Sequence, residues 1–175
     1  MKALGTFTIV ASLAIAGSLA VPVHAAGTHA VKSVSFKGTY KGTASLLISN
    51  SSVKIVSVTG TGKSSLVGTS TVTASGNGTG DNGQCVPFDG NGSLKGSTGS
   101  IKFSVVSSKS QGCSSGQSGP VTVTVTGTAQ VKSGTGSAAG AKGSLKFNGT
   151  LKLADTSGSQ SGAFKGTLTG TLKVK

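Results

Sequence analysis

The chain has no tryptophan, arginine or glutamate, and among its 175 residues it has two cysteines, three prolines, one tyrosine and three acids. Each shortage closes off a class of function. Arginine is the side chain that grips phosphate and guanine bidentately, and exposed aromatics are what bases stack on. Specific nucleic-acid recognition is therefore not expected. The acids Asp81, Asp89 and Asp155 are separated in sequence and read as turn residues, and the two histidines, His24 and His29, both stand near the N-terminus. That leaves neither a carboxylate pair nor a well-placed imidazole for general acid-base work, so the chain reads as non-catalytic. Two cysteines are too few for a metal centre and neither has an adjacent base. No metal and no cofactor is expected, unless Asp81-Asn82-Gly83 and Asp89-Gly90-Asn91 meet around a calcium ion.

What is present begins with Met1-Lys2 and an apolar run over residues 3–21, followed by Pro22-Val23-His24-Ala25-Ala26. A short basic start, an apolar stretch and small residues at Val23 and Ala25 are the pattern of a secretory signal peptide cleaved after Ala25. The run of ~20 residues could also just span a bilayer, but the cleavage site favours export. No second apolar stretch follows, so no transmembrane segment is expected after processing. The expected organisation is a signal peptide over 1–25, a flexible tail over 26–33 and a single domain over 34–175.

Within that domain, apolar and polar residues alternate with period two, the pattern of half-buried strands rather than helices or disorder. Over residues 34–49, Phe36, Gly38, Tyr40, Gly42, Ala44, Leu46 and Ile48 share one face while Lys37, Thr39, Lys41 and Thr43 share the other. Similar runs start near Val53, Leu66, Val86, Ile101, Val121, Leu145 and Phe164, separated by Gly/Ser/Asn-rich links. Among the links read as turns are Gly60-Thr61-Gly62-Lys63 and the stretch 76–83. About eight turn-linked strands predict an all-β, antiparallel up-and-down barrel, with a β-sandwich as the alternative. Phe-x-Gly-[Thr/Asn] recurs at Phe36, Phe88, Phe147 and Phe164 and reads as strand chemistry, large beside small on a curved wall. With Tyr40 and Phe103, these four are the candidate lining of any barrel cavity.

Gly60-Thr61-Gly62-Lys63-Ser64-Ser65 looks like part of a phosphate loop, but Ser57 occupies the position of the first required glycine and no helix follows. Asn-x-Ser/Thr sequons at Asn50, Asn77, Asn91 and Asn148 matter only in a glycosylating host. Cys85 and Cys113, an even pair in an exported chain, predict one disulfide clamping the base of the 86–95/100–107 hairpin to the loop 108–120.

Charge is the chain's most unusual property, formally +13 at pH 7. Lys37, Lys41, Lys102, Lys146, Lys152, Lys165 and Lys173 are out of phase with the apolar face, which predicts a basic outer wall able to hold an anionic cell-surface polymer. Lysine also serves solubility and blunts strand edges, so the same residues allow a purely protective reading.

Gly134-Thr135-Gly136, Gly140-Ala141 and Gly143, followed by Leu145-Lys146-Phe147-Asn148-Gly149-Thr150, resemble the glycine-rich segment before a late strand in allene oxide cyclase-like and dirigent-like barrels. That segment usually carries an aromatic residue where this chain has Ala138 and a further glycine where it has Ser133. The resemblance implies an eight-stranded antiparallel barrel with an apolar centre, often in a homo-oligomer. Cyclase activity does not carry over, because none of the family's catalytic residues maps onto this glutamate-free chain. Three roles follow: a secreted or cell-surface protein binding anionic polymer without catalysis, a carrier or isomerase for a small apolar molecule, and a self-associating matrix or coat component.

Overall fold

The computed structural model describes residues 30–80 and 84–175. The signal-peptide reading and the triplet Asp81-Asn82-Gly83 fall outside them. Nine strands form one antiparallel sheet: β1 (Lys32–Ile48), β2 (Ser52–Ser64), β3 (Gly68–Thr79), β4 (Cys85–Gly96), β5 (Gly99–Val105), β6 (Gln111–Ser114), β7 (Val121–Gly136), β8 (Lys142–Leu153) and β9 (Gly158–Val174). The neighbour order β3-β2-β1-β9-β8-β7-β5-β4, with β3 paired to β4, closes the sheet on itself as an eight-stranded barrel. The barrel reading holds and the sandwich does not. Closure removes the exposed edges along which an open sheet would stack on copies of itself.

The first and last strands carry the longest ladder, from Lys32 opposite Val174 to Ile48 opposite Gly158. β1 thus starts two residues earlier than the alternation at Val34 marks. Inward positions form two contiguous cores, one around Phe36, Leu94, Ile101, Leu145 and Leu172, the other around Ala44, Leu46, Val121, Leu151 and Leu153.

Every described aromatic residue stands directly opposite a glycine on a neighbouring strand. The pairs are Phe36 with Gly170, Tyr40 with Gly62 and Gly166, Phe88 with Gly78, Phe103 with Gly92, Phe147 with Gly127 and Phe164 with Gly42. The missing side chain leaves the volume the ring fills. A Cβ on Gly62 would lie 2.7 Å from the Tyr40 ring, one on Gly60 2.6 Å from that of Phe164, and one on Gly92 2.5 Å from that of Phe103. A narrow barrel with six rings inside it needs this alternation of large and small.

The same feature overturns the expectation of turns at 60–63 and 76–79. Gly60, Gly62, Gly76 and Gly78 lie inside β2 and β3 rather than in turns. The glycines with left-handed φ are Gly68, Gly119, Gly136, Gly140, Gly143 and Gly158. Gly136, Gly140 and Gly143 belong to the glycine-rich segment ahead of β8, and at these three the backbone conformation itself calls for glycine.

One barrel end is sealed by three loops. The Thr98 hydroxyl donates to the Leu66 carbonyl at 3.2 Å and lies 3.1 Å from the Ser137 hydroxyl, which also donates to Leu66. Val67, Ala138 and Ala141 are fully buried beneath them.

β6 lies inside 108–120, where the composition predicts a loop. β5 stops at Val105, and β6 takes over its place between β4 and β7. Ser107–Lys109 forms a 3-10 turn between the two. Ser110 stitches the break: its carbonyl accepts from Phe88 N–H at 3.2 Å and its hydroxyl accepts from Thr128 N–H at 3.2 Å.

Candidate polyanion-binding face

Cys85 and Cys113 are directly opposed across β4 and β6 and form a disulfide, Cα to Cα 3.9 Å. The pairing matches the expectation, although the partner strand is β6 rather than the hairpin base. Asp89 lies within β4, opposite Asn77, and not in a turn. Among the described residues no cluster of three or more His, Cys, Asp or Glu side chains could hold a metal, and no helix is long and apolar enough to cross a membrane.

The seven sequence-selected lysines are all exposed. They are not spread evenly. Lys37 and Lys41 lie on β1, Lys165 and Lys173 on β9, and Lys146 and Lys152 on β8, three adjacent strands that also carry Lys32 and Lys142. Lys102, on β5, lies apart from the other six, while β3 has no lysine and β4 has one, Lys95, with Asp89. The flanking strands β2 and β7 add Lys54, Lys63 and Lys132, so the basic wall has a strongly charged side and, at β3 and β4, a nearly neutral one.

Register decides which charges meet. Lys41 is directly opposite Lys165, Lys142 is directly opposite Lys173, and Lys37 and Lys146 flank Thr169 from its two sides. Like charges directly opposed across a ladder destabilise it by roughly 0.2–1 kcal/mol. No acid lies on β1, β8 or β9 to offset this. The nearest along the chain is Asp155, in the β8–β9 turn, whose carboxylate accepts from Thr156 N–H at 2.6 Å.

Between β7, β8 and β9 the outer wall is hollowed into a groove of about 310 Å³. Lys109, from the 3-10 turn, lines it together with Lys146, Asn148, the threonines 126, 128, 167 and 169, and Gly127 with Phe147. Lys109 had no periodic signal, since it sits in neither strand nor repeat.

Of the six candidate cavity residues, Phe36, Tyr40 and Phe103 belong to one core and Phe147 and Phe164 pack against it, while Phe147 also lines the outer groove. Phe36, Tyr40 and Phe103 are buried, Phe88, Phe147 and Phe164 are half-buried, and the Tyr40 hydroxyl is 2.9 Å from that of buried Ser70. Phe88 and Phe147 contact each other with ring centroids 5.9 Å apart. No family model matches the chain, and neither a curated protein nor a solved structure matches it.

Proposed function

We propose that this protein is a secreted, non-catalytic β-barrel that binds an anionic cell-surface polymer through the lysine face of β1, β9 and β8. The observation that carries this reading is the concentration of lysines on three adjacent strands, two pairs of them directly opposed, with no acid among them. A face kept only for solubility would do better with its charges spread apart, because each opposed pair costs stability. A polyanion laid across the face relieves that repulsion, so ligand binding and folding stability are coupled. Export follows from the signal-like segment 1–25, and the disulfide is compatible with an oxidising compartment. A relationship to the allene oxide cyclase-like and dirigent-like barrels is part of the same proposal and is supported by the eight-stranded closure.

The test is retention of the processed protein on immobilised heparin, teichoic acid and polygalacturonate over a salt series. Lys41→Thr with Lys165→Thr should elute at distinctly lower salt than a variant that loses the same charge at Lys95 and Lys102. Equal elution of the two variants would reduce the lysines to a solubility device.

A further inference from the structure

We infer that the groove between β7, β8 and β9 is a selective subsite for an acidic sugar unit of that polymer; the inference rests on the polyanion reading and narrows it to a ligand class. A barrel wall is convex, and a convex lysine surface meets a polymer only at points, without selecting among polyanions. The groove departs from that shape. One rim is the 3-10 turn Ser107–Lys109, held against β7 by Val106 N–H, which donates to the Thr128 carbonyl at 2.9 Å, and by Thr128 N–H, which donates to the Ser110 hydroxyl at 3.2 Å. The disulfide fastens the following strand, β6, to β4 and so limits how far this rim can move.

The lining then defines the ligand. Lys146 stands in one cross-strand row with Thr128 and Thr169, and Asn148 in the next with Thr126 and Thr167. Two ammonium groups, Lys109 and Lys146, share the hollow with four hydroxyls and a carboxamide. Thr167 donates to the Asn148 carbonyl at 3.5 Å, within the wall. Ammonium groups suit a carboxylate or sulfate, and hydroxyls with a carboxamide suit the hydroxyls of a sugar ring. A nucleic acid would need an exposed ring to stack on, and the one ring in the lining, Phe147, is half-buried in the wall. An apolar ligand would need a mainly apolar lining, whereas here only Gly127 and Phe147 stand among the lysines, threonines and Asn148. The volume is at the lower end of the range for small-molecule sites, enough for one or two sugar units rather than a long segment.

The experiment is calorimetric titration of the intact, disulfide-bonded protein with a galacturonate tetrasaccharide, a sulfated disaccharide and inorganic polyphosphate. Wild type should bind at least one of the sugars, and Lys109→Ala should weaken that sugar at least tenfold. The isosteric Thr128→Val and Thr169→Val should weaken the sugar several-fold while leaving polyphosphate unchanged, since they remove hydroxyls and no charge. Lys95→Ala, on the far side of the barrel, should change neither. Tight sugar binding that ignores Lys109 and both threonines would overturn the subsite and leave the lysine-face reading standing. Failure of wild type to bind any of the three probes would overturn both. Polyphosphate binding with no sugar binding would overturn the acidic-sugar assignment alone.

Discussion

Alanine at position 92 should strain the core by an amount that depends on a single ring. A Cβ at Gly92 would lie 2.5 Å from Phe103 Cζ, 2.7 Å from Cε2 and 2.8 Å from the Thr73 carbonyl oxygen. Ordinary contact is near 3.5 Å, so the ring must retreat by about 1 Å into a close-packed interior where Phe103 is only 6% exposed. Overpacking of this kind costs about 1–3 kcal/mol. Phe103→Leu alone leaves a partial void and should cost about 1–1.5 kcal/mol. If ring and glycine share one volume, the double variant should be more stable than the sum of the single costs by at least about 1 kcal/mol, because leucine vacates the space the new methyl enters. Part of the Gly92→Ala cost should persist, since the Thr73 carbonyl is backbone. Urea unfolding with the disulfide intact measures all four proteins, with equal m-values as the condition for comparing them. Strict additivity, or a Gly92→Ala variant as stable as wild type, would refute the claim that the glycines are there to make room for rings.

Three further outcomes follow from the geometry. Replacing both cysteines by serine should lower stability by about 3.6 kcal/mol in the chain-entropy model, the loop being 28 residues. Hydrogen exchange should quicken first at β6, whose ladders are short. Ser110→Ala leaves Thr128 N–H without its acceptor and should cost about 1–2 kcal/mol, read as a lower urea midpoint, whereas exposed Ser108→Ala should be neutral within about 0.5 kcal/mol. Raising salt until the Debye length falls from about 10 Å to about 3 Å should raise the melting temperature of wild type more than that of Lys41→Thr/Lys165→Thr, as scanning calorimetry would show. An equal rise in both would mean that the opposed pair carries no repulsion.

Much of the fold was legible because strand chemistry is local. Alternation from Phe36 to Ile48 needs only that one face be dry and the other wet, and the same alternation sends Lys37, Lys41, Lys146 and Lys165 outward without reference to any partner strand. The disulfide was readable from an even cysteine count and a hairpin between the two. Glycine defeated local reading because it has two uses. At Gly136 and Gly158 it supplies a left-handed turn. At Gly60 and Gly62 it supplies space inside a strand, and only the opposing ring distinguishes the cases. β6 was missed because four residues are too few to show a period.

By itself, then, the sequence determined the all-β class, the inward and outward faces of each strand and a strongly basic exterior, since each depends on residues a few positions apart. Tertiary structure decided that the sheet closes, that β1 and β9, the first and last strands, lie side by side, and that their lysines therefore meet. It also decided that Lys102 stands apart and that Lys109 overhangs a groove it shares with Lys146. Register across a closed barrel joins residues more than a hundred positions apart, and no local period records which strand a charge will face.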